Sequence, residues 1–110
     1  MKIIKCRFIP PNYCVNLFGT IWVRDPRWIS NQVINHERIH TRQQLELLFI
    51  PFYLLYLLEW LIRLLIYRNS YRAYRNLSME REAYANQANF AYLSSRRPYA
   101  WLRYLRYKRL

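Results

Sequence analysis

The run LELLFIPFYLLYLLEWLIRLLI, from Leu45 to Ile66, constrains this chain more than any other feature. Its last twenty residues, Leu47 to Ile66, match the length at which a helix crosses a bilayer. Fourteen Leu, Ile and Phe residues favour insertion by roughly 4 to 8 kcal/mol, whereas Glu59 and Arg63 together cost about 5 to 7 kcal/mol if central. Pro51 and two tyrosines bring the balance close to zero. Three placements remain open: a membrane span, a peripheral segment, or a core hairpin that carries the chain away from His40 and back. The hairpin is the preferred expectation, since 110 residues allow one domain that must share one core.

The rest of the chain arranges itself around that run. Residues 2–8 and 13–24 are β-branched, aromatic or alternating, with Pro10-Pro11 between them and Asn16 and Gly19 as punctuation, so residues 1–28 read as two or three short strands. Asp25-Pro26 breaks this region, and Ser30 or Asn31 can cap a helix over 30–50. Pro51 should kink or end it, giving a separate hydrophobic helix over 51–68. Asn69-Ser70 turns the chain into 70–95, where Met79, Glu82, Ala83, Asn86, Phe90 and Leu93 recur at helical spacing. Residues 98–110 form a basic tail that reads as a short amphipathic helix. The expected fold is a single α+β domain over 1–110, mostly helical, with short antiparallel N-terminal strands.

A net charge of +12 favours anionic partners, because the summed field attracts them before any contact forms. Tyr53, Tyr56, Trp60, Tyr67 and Tyr71, and the terminal Trp101, Tyr104 and Tyr107 with Arg103, Arg106 and Arg109, suit an anionic membrane surface. Tyr and Arg interleaving could also stack on single strands, yet no RNP, Gly-rich or zinc-finger pattern supports a nucleic-acid partner. Cys6 and Cys14 match neither a zinc-knuckle spacing nor C-x-x-C, and read as small core residues, with a disulfide as the alternative. The start MKIIKCRFIPPNYC lacks the apolar core of a signal peptide, so the expected location is cytoplasmic, peripheral at the inner face of the membrane.

His36-Glu37-Arg38-Ile39-His40 is an H-E-x-x-H pattern built on the chain's only two histidines. Residues at i and i+4 on a helix stand one above the other, so two imidazoles can share one metal. Glu37, about 100° around the helix, can reach a water at that metal as a base without ligating it. Catalytic zinc takes three protein ligands and leaves one position open. Of the six acidic residues, Glu82 lies on the Met79–Leu93 stripe and is expected to face inward as the third ligand, while Glu80, about 200° away, is expected to face solvent. Asn86, one turn beyond Glu82, can hydrogen-bond a ligating imidazole and fix its tautomer, or be satisfied by backbone.

The segments His36–His40 and Glu80-Arg81-Glu82-Ala83-Tyr84-Ala85-Asn86 resemble the paired motifs of gluzincin metallopeptidases. They look like the H-E-x-x-H and E-x-E-x-x-A-D of integral-membrane prenyl-protein and heat-shock metallopeptidases and of the similarly sized minigluzincins. The resemblance covers roughly residues 30–95. It implies a zincin-like fold, one Zn2+ per chain held by His36, His40 and Glu82, and Glu37 as general base and acid. It also implies an edge strand at Gly19, Thr20, Ile21, Trp22 and Val23, along which an extended substrate would lie. Asn86 stands where the family has Asp, removing a charge that would raise imidazole basicity.

The expected function is therefore zinc-dependent hydrolysis of peptide bonds in a peptide or protein substrate, of the endopeptidase type. The alternative is a basic membrane-associated or scaffold protein that binds zinc without catalysis.

Overall fold

A computed structural model describes residues 2–11 and 13–105. The chain is α+β and mostly helical. Three strands, β1 (Ile3–Lys5), β2 (Cys14–Leu17) and β3 (Thr20–Val23), make one small sheet. Five helices follow: α1 (Asn31–Glu46), α2 (Ile50–Tyr67), α3 (Ser70–Arg75), α4 (Ser78–Asn86) and α5 (Tyr92–Ser95). Single 3-10 segments occupy Pro26–Trp28 and Ala100–Tyr104.

The sheet is organised by a two-residue turn. Phe18 and Gly19 both have positive φ, 51° and 83°, and turns of this kind match the twist of the strands they join. Gly19 takes that conformation without steric cost. β2 and β3 therefore pair antiparallel, Cys14 opposite Val23 and Leu17 opposite Thr20. β1 lies on the other side of β3 and runs parallel to it, Ile3 opposite Ile21 and Lys5 opposite Val23. The expectation of a purely antiparallel sheet is corrected here: the chain crosses from one edge to the other before the hairpin returns to the middle. The strand order β1-β3-β2 makes β2 an edge. It also puts the central strand between Cys14 and Cys6, a separation beyond disulfide reach, and both thiols are free.

Ser30 caps α1, its hydroxyl accepting from Val33 N at 3.2 Å. The helix ends at Glu46, where Leu48 and Phe49 adopt positive φ. Pro51 falls in the first turn of α2, where no backbone N–H is needed, so it opens a helix rather than kinking one. The single helix expected over 70–95 is divided among α3, α4 and α5. Asn69 caps α3 by accepting from Arg72 N at 3.0 Å.

The capping of α4 crosses between elements. Leu77, at its N-cap, supplies no side-chain bond. Instead Glu59 of α2 accepts from Ser78 N at 2.8 Å and from Ser78 Oγ at 2.6 Å. A carboxylate at a helix N-terminus meets the unpaired N–H groups and the positive end of the helix dipole. Arg63 pairs with Glu59 at 3.3 Å and donates to the Leu105 carbonyl at 2.7 Å. The two charges that weigh against bilayer insertion thus tie α2 to α4 and to the C-terminal segment.

Inside and outside are partly exchanged. Of α2 only Phe52 and Arg63 are buried, which overturns the core-hairpin expectation. Much of the buried interior is polar, with Asn35, His36, Glu37, His40, Gln43 and Gln44 on α1 and Ser78, Glu80 and Glu82 on α4. The apolar interior is modest: Ile21, Val23, Ile39, Leu77 and a cluster of Phe52, Met79 and Trp101. Over 100–104 the tail is a 3-10 segment that buries Ala100 and Trp101 and exposes Leu102 and Arg103. Arg106, Tyr107 and Arg109 lie outside the described residues.

Candidate metal centre

The helical spacing of His36 and His40 stacks their rings edge to face at 4.8 Å and brings the two Nε2 atoms to 3.1 Å. What fixes them there is a pair of glutamines. Gln43 Oε1 accepts from His40 Nδ1 at 2.8 Å, and Gln87 Oε1 accepts from His36 Nδ1 at 2.8 Å. The orientation of the Gln43 amide is itself fixed, because its nitrogen donates to Met79 O at 3.0 Å and to Glu82 Oε1 at 2.9 Å. A carbonyl oxygen can only accept, so the imidazole proton sits on Nδ1 and each Nε2 is turned toward one shared point.

Glu80 closes that point. Its Oε1 lies 3.2 Å from His36 Nε2 and its Oε2 lies 3.0 Å from His40 Nε2. Tyr56 of α2 donates to Glu80 Oε2 at 2.7 Å and holds the carboxylate in place. The expectation for the two glutamates holds only in part: Glu82 is fully buried as expected, but away from the histidines, and Glu80 is buried as well instead of facing solvent. Glu80 is buried against the histidines, whereas Glu82 accepts from Tyr92 at 2.7 Å, from Gln43, and from Arg96 through Nε and through a guanidinium NH2 at 3.1 Å. Arg96 also forks onto Glu46 at 2.8 and 3.0 Å, so Glu82 belongs to a buried Glu82–Arg96–Glu46 triad. Asn86 is likewise elsewhere, donating to Glu82 O at 2.9 Å and Tyr104 OH at 3.3 Å. The groups that orient the imidazoles are Gln43 and Gln87.

Electrostatics follow from this convergence. Burial alone would lower the His40 pKa, but the charge and hydrogen bond of Glu80 outweigh it and push the group up to about 9. Burial would raise Glu80, but His40 and His36 outweigh it and hold its carboxyl well below the usual range. Glu37 Oε2 lies 3.8 Å from His36 Nε2, and burial raises its pKa against the opposing pull of the two histidines. The half-buried Cys14 thiol, desolvated and beside the Glu37 carboxylate, is pushed up to about 12.

Two imidazole nitrogens and a carboxylate directed at one point repel one another unless a cation lies among them. A proton on His40 meets that need; a metal ion is the other means. For zinc bonds of 2.0–2.1 Å, tetrahedral ligand atoms stand about 3.3 Å apart. The separations of 3.0 to 3.2 Å, which run to two different Glu80 oxygens, lie near that edge, and two imidazoles with a carboxylate are donors that zinc takes. His36, Glu37 and His40 offer ligand atoms within 4.8 Å of one another, with Glu37 positioned beside the pair.

No family model, curated protein or solved structure matches this chain. The chemistry of the centre rests on its own side chains.

The centre opens into two cavities. One of about 270 Å³ is lined by Leu17, Glu37, His40, Phe52, Tyr56 and Glu80 among others, and one of about 460 Å³ by Tyr13, Trp28, His36, Glu37, Tyr71 and Tyr84 among others. Cys14, Glu37 and Tyr74 border both, so the two meet over Glu37. Gly19 and Thr20 to Val23, expected as an edge, belong to the turn and to the central strand, whose two sides are already paired. The edge that borders both cavities is β2, from Cys14 to Leu17. Gln43 and Tyr56 were legible only in part: Gln43 sits at i+3 from His40, a spacing that meets on a helix surface, while Tyr56 joins the site through a long-range contact.

Proposed function

We propose that this protein is a zinc-dependent peptidase of zincin-like build, with His36, His40 and Glu80 as ligands and Glu37 as general base. One observation carries the reading: two Nε2 atoms and the Glu80 carboxylate converge within 3.0 to 3.2 Å, beside a buried carboxylate that is not needed as a ligand. The H-E-x-x-H resemblance agrees with it once the third ligand moves from Glu82 to Glu80.

Zinc supplies a Lewis acid that acidifies water and polarises a peptide carbonyl. The remaining work belongs to the chain. A peptide in extended form adds to the edge of β2, which runs past Glu37 and borders both cavities, displacing the bond that Gln44 donates to Asn16 O at 3.3 Å. Glu37, its proton affinity raised by burial, takes a proton from the attacking water and returns it to the departing amine. Gln43, Gln87 and Tyr56 hold the ligands so that none reorganises during the reaction.

Glu37→Gln tests this. The variant should retain about one zinc per chain by elemental analysis and lose hydrolysis of casein or a peptide library by about 100-fold or more. Equal rates for variant and parent would remove Glu37 from the chemistry. Zinc in both proteins with hydrolysis in neither would favour a metal-binding protein without turnover.

A further inference from the structure

We propose that the outward face of α2 is a membrane-docking surface, with the helix lying in the plane of an anionic leaflet and its apolar side sunk among the acyl chains. The inference is independent of the zinc reading.

The observation is a sorted helix. At 100° per residue, Leu54, Leu57, Leu58, Leu61, Ile62 and Leu65 share one half of the circumference, and they are 45–77% exposed. The opposite half carries Phe52, Tyr53, Tyr56, Trp60 and the Glu59–Arg63 pair, all turned toward the protein. The helix is about 27 Å long, and the stripe from Leu54 to Leu65 takes up about 16 Å of it. An aliphatic surface of that extent does not persist against water on an isolated chain; it marks a partner.

The stripe's chemistry selects that partner. Specific protein interfaces concentrate aromatic side chains and Arg at their centres. Here the aromatic residues face inward and only Leu and Ile face out, which suits fluid hydrocarbon rather than a shaped protein surface. Net charge points the same way: two copies at +12 repel, while an anionic leaflet attracts. Arg68, at the end of α2, and Arg72, on α3 with its guanidinium over the Tyr67 ring, are exposed and can reach phosphate groups.

The geometry favours lying over crossing. α2 is long and apolar enough to cross a membrane. However, its inner half is bound through Glu59 to Ser78 and through Arg63 to Leu105, so lipid cannot surround it. Threading it through a bilayer would also carry the exposed Arg38, Arg42 and Arg72 of neighbouring helices into hydrocarbon.

The test uses the full chain and vesicles of phosphatidylcholine containing one quarter phosphatidylglycerol. The parent should co-sediment with them. Leu54→Gln/Leu58→Gln/Leu65→Gln, which changes exposed positions only, should bind at least about tenfold more weakly with unchanged circular dichroism and zinc content. Equal binding by parent and triple variant overturns the proposal. So does a parent dimer, seen by sedimentation, that the triple variant converts to monomer without loss of vesicle binding, because the stripe would then be a self-interface. Nitroxide labels placed singly by Leu54→Cys, Leu58→Cys and Leu65→Cys, in a Cys6→Ser/Cys14→Ser background, should report one shallow depth. A graded depth spanning about 16 Å from Leu54 to Leu65 would show a crossing helix and overturn the in-plane placement.

Discussion

Gln43 accepts from His40 Nδ1 at 2.8 Å while its own amide nitrogen donates to Glu82 Oε1 at 2.9 Å, so one buried side chain joins the histidine pair to the Glu82–Arg96–Glu46 triad. Gln43→Leu keeps the volume and removes both of these bonds and the one Gln43 donates to Met79 O. Zinc affinity should fall by about 10- to 100-fold, the usual cost of losing a group that orients a ligating imidazole. Competition against a chromophoric chelator measures it, and an unchanged affinity would reduce Gln43 to a packing role.

Glu80 and Glu82 separate cleanly by experiment. Glu80→Gln should lower zinc affinity by more than about 100-fold, beyond what an orienting residue contributes. Glu82→Gln should leave a zinc site but destabilise the fold by about 3 kcal/mol, because it removes one partner from a buried ion pair. Urea unfolding and zinc titration on both variants should give opposite profiles. A Glu82 variant that loses zinc while keeping its stability would restore the original assignment.

The pH dependence follows from His40. Its pKa in the metal-free fold is raised from 6.5 to about 9. A raised pKa means the folded form holds the proton more tightly, so this contribution is complete below about pH 6.5 and is lost as pH rises through about 9. Zinc must displace the same proton. Its apparent affinity should therefore go on rising by about tenfold per unit from pH 7 toward 9, with close to one proton released per ion at pH 7.5. Calorimetry in buffers of different ionisation enthalpy counts that proton, and a release near zero would mean that His40 is already neutral.

Secondary structure was largely legible because its signals are local. Ser30 caps α1, Asn69 caps α3, and Gly19 marks the hairpin. The H-E-x-x-H histidines met because helical spacing alone brings them together. The stripe of Met79, Ala83, Asn86, Phe90 and Leu93 did turn Glu82 inward, but it could not choose the glutamate at the histidines, and its last members, Phe90 and Leu93, lie beyond the end of α4 at Asn86. Moreover, α4 is buried around most of its girth, with Ser78, Met79, Glu80, Glu82 and Ala83 all inside. No single inward face existed to separate Glu80 from Glu82. The α2 hairpin failed for a related reason: apolar was read as interior, whereas here polar side chains fill much of the interior and Leu and Ile form the outer face.

The carboxylate that caps α4 gives the fold a mechanical property. Glu59 sits on the inner side of α2 and grips the first residue of the helix on which Glu80 stands two positions later. Tyr56, one turn before Glu59 on α2, grips Glu80 itself. The helix bearing the outer stripe thus works as a lever with two attachments to a proposed zinc ligand. Thermodynamic linkage makes such a lever act in both directions: whatever factor vesicles impose on zinc affinity, zinc imposes on vesicle affinity. The proposed membrane sensor and the proposed zinc centre would then lie on opposite sides of a single helix.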